Sequence, residues 1–182
     1  MKAYIFLAEG FEEIEAVTAI DTLRRAEIDI KAVSMSESLE VKGSRDVVLK
    51  ADISFDEKQL EDANMLILPG GMPGTKNLKN DGRLAELLKK SAKENKYIAA
   101  ICAAPMVLGK LGLLFGKEAT CYPGFESYLE GAKVKDEKVV VDGKFITSRG
   151  PGVALDFSLK LVEILKGKEL SDKLSKDMIY NN

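Results

Sequence analysis

Cys102 is the residue whose type and position most clearly indicate chemistry. It ends an apolar run of strand length, and Pro105 lies in the first turn of a helix-compatible run that begins just after it. The thiol is therefore predicted to lie on a tight strand-to-helix turn, where unpaired N–H groups and the helix dipole favour a thiolate. A thiol in that field has a lowered pKa and can act as a nucleophile. The alternative is a buried cysteine that only fills space.

Acidic residues open the helix that follows the first predicted strand. Glu12 and Glu13 are explained by the favourable interaction of carboxylates with a helix N-terminus. Glu15 is a candidate for a different role. If its side chain points toward Cys102, desolvation raises the carboxyl pKa, and the protonated acid can donate a hydrogen bond or transfer protons. The alternative is that Glu15, like its neighbours, only complements the helix dipole.

A glycine-rich loop, Pro69-Gly70-Gly71-Met72-Pro73-Gly74, follows a short buried strand. Glycine lets backbone N–H groups approach a ligand closely. Together with the N–H of Ala103, the residue after Cys102, this loop would form an oxyanion hole. The alternative is a plain tight turn. The loop lacks the Walker pattern, and little supports a flavin or nucleotide site.

Other polar residues are interpreted as structural. Ser148, or the glycines beside it, would cap the long helix that follows. Arg45, like Arg24 and Arg25, is interpreted as a surface charge that can pair with an acid or contribute to a subunit interface. Cys121 is interpreted as a buried thiol because nothing near it in sequence would stabilise its thiolate.

Composition limits the class of protein. The chain has 182 residues, 46% of them hydrophobic, which predicts a single domain over residues 1–182. Charges are nearly balanced at 27 Lys+Arg and 29 Asp+Glu, so no nucleic-acid partner is expected. No apolar run approaches the ~18 residues of a membrane span, and two cysteines make no disulfide framework, so a cytoplasmic protein with free thiols is predicted.

Histidine is absent from the sequence. This excludes a Cys-His dyad, a Ser-His-Asp triad and any His-ligated metal site within the chain. No metal and no organic cofactor are expected.

Apolar runs of strand length alternate with helix-like segments, which predicts an α/β fold with a mostly parallel sheet covered by helices on both faces. Strands are predicted over residues 2–8, 28–35, 46–49, 52–55, 65–68, 97–101, 119–122, 139–141 and 145–147, with the pair 46–49 and 52–55 around a polar hairpin. Helices are predicted over residues 12–26, 59–62, 84–95, from just after Cys102 to about 113, 152–165 and 170–179.

Two finer expectations follow from this pattern. The first helix would place Ile14, Val17, Ile20, Leu23 and Ala26 on or near one face. Sites in such sheets lie outside the carboxyl ends of the strands. The loops 9–15, 69–74 and 102–104 should therefore meet at that edge.

Five segments occur in an order that resembles the ThiJ/PfpI superfamily, in the branch of the parkinsonism-associated protein deglycase and its bacterial relatives. They are Leu7-Ala8-Glu9-Gly10-Phe11-Glu12-Glu13-Ile14-Glu15, Ser44-Arg45-Asp46-Val47-Val48, Leu68-Pro69-Gly70-Gly71, Ala99-Ala100-Ile101-Cys102-Ala103-Ala104-Pro105 and Thr147-Ser148-Arg149-Gly150-Pro151-Gly152. The resemblance runs over nearly the whole chain.

This resemblance implies a flavodoxin-like three-layer sandwich and a homodimer. It maps the nucleophile to Cys102, its protonated carboxyl partner to Glu15, and backbone oxyanion donors to Gly71 and Ala103. It also implies that Arg45 lies near the site of the neighbouring subunit. Relatives are described as acting on glyoxals or glycated groups, as sensing oxidation through a cysteine sulfinate, and as chaperones.

The sequence departs from the family pattern at a histidine found near the nucleophile in close relatives. Tyr122 holds that position in the segment Thr120-Cys121-Tyr122-Pro123. The protease-type branch needs a histidine directly after the cysteine, and Ala103 stands there, which argues against peptidase activity. Glu15 would then have to transfer protons alone or with water.

The expected function is a cofactor-free glyoxalase or deglycase acting on an α-oxoaldehyde such as methylglyoxal, or on its adducts. The first alternative is an oxidative-stress sensor or chaperone in which Cys102 is oxidised to sulfinate with little turnover. A non-catalytic ligand-binding module, with an unreactive Cys102, is the third.

Overall fold

A computed structural model describes residues 1–180. Its strands are β1 Lys2–Leu7, β2 Asp29–Ser34, β3 Glu40–Lys42, β4 Val48–Lys50, β5 Ile53–Ser54, β6 Met65–Leu68, β7 Tyr97–Ile101, β8 Glu118–Ala119, β9 Lys133–Val134, β10 Val139–Asp142 and β11 Phe145–Ser148. Its α-helices are α1 Glu13–Arg25, α2 Gly74–Asn80, α3 Gly82–Lys93, α4 Pro105–Lys110, α5 Ala154–Lys166 and α6 Lys168–Asp177. Short 3-10 helices cover Glu57–Leu60, Glu126–Tyr128 and Pro151–Val153.

A seven-stranded sheet in the order β10-β11-β7-β6-β1-β2-β5 forms the middle layer. All of its neighbouring strands are parallel except β10 and β11, which form an antiparallel hairpin. The chain moves outward from β1 to β2 and then returns to place β6 on the other side of β1. The loops after β1 and β6 therefore separate at a switch point, where α/β sheets bind ligands.

Alternate side chains of β1 enter two different hydrophobic cores, as the two-residue period of a strand requires. Ala3, Ile5 and Leu7 pack in one core with α1 and α5, whereas Tyr4 and Phe6 pack in the other with α3 and α4. The sheet is thus covered on both faces, which confirms the predicted three-layer α/β sandwich.

Most predicted elements are present, but the predicted hairpin between residues 46–49 and 52–55 is wrong. β4 pairs with β3, and β5 joins the main sheet beside β2. The sequence of β3 does not indicate a strand, because it has only three residues and Val41 is the single apolar one among them. Helix α2 was also not predicted, since its Gly-, Asn- and Lys-rich sequence has no apolar period.

Two helices differ from prediction in detail. Helix α4 ends at Lys110 rather than near residue 113, just before Gly112 with its positive φ of 70°. In α1, Ile14 and Val17 do not face the core as predicted, because 56% and 44% of their surfaces are exposed. The small residues Ala16 and Ala19 face inward instead, and they allow α1 to pack closely.

Among residues 1–180, no helix is both long enough and apolar enough to cross a bilayer.

Candidate active site

Three loops meet at the carboxyl edge of the sheet, as the strand order predicts. The N–H of Glu12 donates to the carbonyl of Gly70 at 2.9 Å, and the N–H of Gly74 donates to the carbonyl of Gly10 at 3.0 Å. These bonds join the loop after β1 to the loop after β6. The turn after β7, which carries Cys102, packs against Gly70.

Cys102 occupies a strained turn between β7 and α4. Its φ of 65° lies in the left-handed region, which a residue with a side chain adopts only when its surroundings hold it there. Two hydrogen bonds do so: its N–H donates to the carbonyl of Ser148 at 2.9 Å, and its carbonyl accepts from the N–H of Tyr122 at 2.7 Å. The half-buried thiol is thereby fixed at the base of the three loops.

Glu15 lies on the inner face of α1 and is 1% exposed. Its Oε2 accepts a 2.7 Å hydrogen bond from the N–H of Gly70, and the carboxyl faces the Cys102 thiol. Burial raises the carboxyl pKa to about 7, although the Gly70 N–H and the thiol oppose this. Within residues 1–180, the buried Oε1 has no hydrogen-bond partner, so no donor there stabilises the ionised form of the carboxyl.

Glycine is required at the point where the β6 loop touches the pair. A Cβ at Gly70 would lie 2.6 Å from Cys102 Cβ and 2.8 Å from Glu15 Oε2. Gly71 has a φ of 88°, and its N–H, like that of Ala103, points at the Cys102 sulfur. The structure thus directs the N–H groups of Gly71 and Ala103 at the Cys102 sulfur. Gly70, also predicted as a backbone donor there, instead donates its N–H to Glu15.

The predicted lowering of the Cys102 pKa is not found. Burial raises the pKa of the thiol, and ionised Glu15 raises it further, whereas the N–H groups of Ala103 and Gly71 lower it. The expected helix field is weak because α4 is only six residues long and starts at Pro105. A thiolate at Cys102 therefore depends on moving a proton to Glu15, which removes the neighbouring negative charge.

The thiol opens into a cavity of about 250 Å³. Its lining includes both remaining predicted residues, Arg45 and Tyr122, together with Met72, Phe125 and Pro151. The Tyr122 ring packs edge-on against Phe125, with ring centroids 6.2 Å apart. Phe125 was not predicted, because it lies in a turn before the 3-10 helix Glu126–Tyr128, where no periodic pattern indicates the direction of a side chain.

The sequence profile of the DJ-1/PfpI family matches residues 1–164. The chain belongs to the DJ-1/PfpI family. It is 43% identical over 171 residues to protein DJ-1 homolog B of Arabidopsis thaliana, covering 93% of this chain but only 39% of that protein's length. It is 35% identical over 188 residues to the glutathione-independent glyoxalase DJ-1 of Schizosaccharomyces pombe, covering 98% of each.

A solved structure agrees with this family assignment. Protein dj-1beta of Drosophila melanogaster is 39% identical to this chain over 183 residues, covering 98% of each. Its crystal structure superposes with a TM-score of 0.94 and covers 100% of this chain and 98% of that chain. The family fold is therefore present over the whole chain that the structure describes.

In this member of the family, Glu13 has a role beyond the helix dipole. It is 8% exposed, accepts the backbone N–H of Arg45 at 2.6 Å, and lies 3.2 Å from the Ser44 hydroxyl. Burial opposes ionisation, but these donors lower the pKa of Glu13 below its ordinary value. A buried carboxylate therefore holds the Arg45 loop at the cavity. That Arg45 also lies near a neighbouring subunit's site stays a prediction.

Of the two predicted ways of capping the long helix, the one through Ser148 is wrong, whereas Gly150 is the N-cap of the 3-10 turn Pro151–Val153 that leads into α5. The hydroxyl of Ser148 donates to the carbonyl of Lys138 at 2.7 Å within the β10–β11 hairpin, and α5 begins without a side-chain cap. Its backbone carbonyl instead holds the N–H of Cys102. Cys121 is buried as predicted, and burial raises its thiol pKa to about 11.

Within residues 1–180, no group of three or more His, Cys, Asp or Glu side chains is arranged to hold a metal ion.

The close packing around Gly70 predicts that a side chain at this position destabilises the fold. Gly70→Ala should lower the free energy of unfolding by about 1–3 kcal/mol, because the added methyl group overlaps Cys102 and Glu15. Urea denaturation measures this change. Gly82→Ala is the matched control, since a Cβ there meets no atom within 4 Å in the described chain. Equal effects of the two substitutions would contradict the close packing at Gly70.

The raised pKa of Glu15 predicts a pH-dependent stability. In a Cys102→Ser background, which removes the coupled thiol, native Glu15 still binds its proton more tightly than the unfolded chain does. Its contribution is therefore complete below the unfolded pKa of 4.5 and is lost as the pH rises to about 7. The loss should be on the order of 3 kcal/mol. Urea denaturation from pH 4 to 8 should show this loss in Cys102→Ser but not in Cys102→Ser/Glu15→Gln, and parallel curves would contradict it.

Proposed function

We propose that this protein converts α-oxoaldehydes such as methylglyoxal, or their adducts on a thiol or amine, to 2-hydroxy acids without a cofactor. Cys102 is the nucleophile and Glu15 transfers the protons. The observation that carries this proposal is the burial of Glu15 against the thiol, which raises its pKa to about 7. A carboxyl with this pKa can both accept and return a proton near neutral pH. The name of the S. pombe relative, a glutathione-independent glyoxalase, supports the same reaction class.

In the first step the Cys102 sulfur attacks the aldehyde carbon, and a C–S bond forms. The thiol proton passes to Glu15, and the aldehyde oxygen becomes an alkoxide. The N–H groups of Gly71 and Ala103, which point at the sulfur in the free protein, are placed to stabilise that charge. Glu15 then protonates the alkoxide, which gives a neutral hemithioacetal and restores the carboxylate.

In the second step the Glu15 carboxylate removes the proton from the former aldehyde carbon, which gives an enediolate, and returns it to the neighbouring carbonyl carbon. The hydroxyl proton on the first carbon's oxygen passes to the oxygen of the second carbon, so that the first oxygen becomes the thioester carbonyl and the second becomes the hydroxyl. This transfer converts the hemithioacetal into a thioester of the 2-hydroxy acid. Water then hydrolyses the thioester and frees the thiol. The first carbon is oxidised and the second is reduced, so no external oxidant or reductant is needed.

Two further residues that line the cavity, Arg45 and Tyr122, are assigned supporting roles. Arg45 places a cation at the cavity that can orient a carbonyl oxygen or an adduct's carboxylate. Tyr122 holds the position at which the family resemblance implies a histidine, and its backbone N–H donates to the Cys102 carbonyl. With no histidine in the sequence, we assign the proton transfers to Glu15, with Tyr122 as part of the wall.

We further propose that residues 1–182 form one domain that acts as a homodimer. Apolar side chains on α1 and on the β3–β4 hairpin support a second copy as partner: Ile14, Val17, Val47 and Val48 are all 44–56% exposed. Exposed apolar side chains from neighbouring elements are typical of protein interfaces.

Lactate formation from methylglyoxal tests the proposed function. Purified protein is incubated with methylglyoxal in the presence of a chelator and without glutathione, and D- and L-lactate are measured enzymatically. Formation of lactate in proportion to protein concentration is the expected result. Absence of lactate would contradict the proposed enzymatic function.

A second candidate function is oxidation sensing, and the exposure of the sulfur to the cavity favours it. The N–H groups of Gly71 and Ala103 would bind the oxygens of a Cys102 sulfinate. If methylglyoxal gives no lactate, mass spectrometry after mild peroxide should show two oxygen atoms added at Cys102. An unmodified Cys102 would contradict the proposed role in oxidation sensing as well.

A further inference from the structure

A second large concavity lies at the opposite edge of the sheet from Cys102. It is a groove of about 720 Å³ between the end of α3, the loop after α4 and the β10–β11 turn. β7 and β11 begin at this edge, with Tyr97 and Phe145, and Cys102 follows the far end of β7. The groove is therefore separate from the candidate active site.

Four lysines line the groove: Lys89, Lys93, Lys117 and Lys144. In the part of the chain that the structure describes, no aspartate or glutamate contributes to its lining. Lys89 is paired outside the groove with Glu86 at 3.1 Å, and Lys117 lies 3.7 Å from Asp142. Lys93 and Lys144 form no ion pair with residues 1–180, so the groove carries uncompensated positive charge.

Aromatic rings hold two of these cations in place. The Nζ of Lys144 lies 3.7 Å from the centroid of the Tyr97 ring, and that of Lys117 lies 5.2 Å from the centroid of Phe145. Such contacts orient an ammonium group without neutralising its charge. The ammonium group of Lys144 thus remains able to attract an anion, whereas that of Lys117 is shared with Asp142.

An exposed aromatic ring forms the apolar part of the groove. Phe115 is 77% exposed, although its ring lies against the backbone of Gly131, where a Cβ would be 2.3 Å from Phe115 Cδ2. The ring is therefore packed on one side and open to solvent on the other. Leu113 and Ala92 add apolar surface beside it.

We propose that this groove binds a small organic anion with an aromatic body. The anionic group would lie near Lys93 and Lys144, and the aromatic body would cover the exposed side of Phe115. The positive charge of the groove favours an anionic ligand over a cationic one, because a cation would be repelled by the four lysines. Burial of apolar surface on Phe115 and Leu113 distinguishes such a ligand from inorganic phosphate. This proposal does not depend on the function of Cys102.

Fluorescence titration with 8-anilinonaphthalene-1-sulfonate tests the proposal, because this probe is an aromatic anion. Wild type should bind it saturably, and binding should weaken as salt is added. The Lys93→Gln/Lys144→Gln variant should bind about ten-fold more weakly, which corresponds to about 1.4 kcal/mol. Lys166→Gln/Lys173→Gln is the matched control, since it removes the same charge from exposed positions outside the groove and should keep wild-type affinity.

Two further measurements localise the probe. Phe115→Ser, at an exposed position that should tolerate the change, should weaken binding by a similar factor. Arg45→Gln, in the cavity at Cys102, should leave binding unchanged. The proposal is overturned if wild type shows no saturable binding, if the groove lysine pair has no more effect than the control pair, if Phe115→Ser binds like wild type, or if Arg45→Gln abolishes binding.

Discussion

Replacing Cys102 by serine is expected to lower the rate of lactate formation from methylglyoxal by about 10³-fold or more. A serine hydroxyl ionises far less readily than a thiol, and burial next to Glu15 would suppress its ionisation further. Because the reaction is proposed to pass through a thioester on this sulfur, no other group in the cavity replaces it. The rate is measured as lactate formed per protein at saturating methylglyoxal.

Cys121→Ser is the matched control for this substitution, since it removes the other thiol of the chain, which is buried away from the cavity at Cys102. It should retain activity close to wild type. Similar losses in both variants would point to a general effect on folding. Full activity in Cys102→Ser would eliminate the proposed nucleophile.

Glu15→Gln is expected to lower the same rate by about 10²–10⁴-fold, which is the usual range for loss of a general acid–base group. Glutamine has nearly the same shape, and its carbonyl oxygen can still accept the N–H of Gly70. The substitution therefore removes proton transfer while keeping the packing around Cys102. Lactate assays from pH 5 to 9 would measure both the loss and its pH dependence.

The pH profile separates a catalytic role of Glu15 from a purely structural one. Wild-type activity should fall as the pH drops below about 7, because the protonated carboxyl can no longer accept the thiol proton. This acid limb should be absent from the residual activity of Glu15→Gln. Glu9→Gln, at an exposed carboxylate near the same loop, is the control and should keep both the rate and the profile.

The strand-to-helix turn at Cys102 could be predicted because its signals are local. An apolar run stops at the cysteine and Pro105 opens the next helix, so the short-range pattern specifies the turn. The same reasoning predicted that three loops meet, because parallel strands end at one edge. The direction of the Cys102 pKa was not predictable, since it depends on burial and on contact with Glu15, 87 positions earlier in the chain.

The first helix shows why periodicity did not assign the roles of its acidic residues. A hydrophobic period predicts an inward face with Ile14 and Val17, but both are exposed and Glu15 is buried instead. A buried carboxylic acid and exposed apolar residues both break the pattern on which such predictions rest. Glu13 and Ser148 were misassigned because helix-end composition does not reveal what their side chains bond to. Glu13 bonds to Arg45, 32 positions away, and Ser148 bonds across its own hairpin to Lys138.

The central claim is that Cys102 and Glu15 together convert an α-oxoaldehyde through a covalent thioester. Acid quenching of the protein during turnover of methylglyoxal, followed by peptide mass spectrometry, tests it most directly. Wild type should give a methylglyoxal-mass adduct on the Cys102 peptide that hydroxylamine removes. Glu15→Gln should give none, because it stops at the reversible hemithioacetal. Lactate formation by wild type with no adduct at Cys102, or an equal hydroxylamine-sensitive adduct in Glu15→Gln, would contradict it.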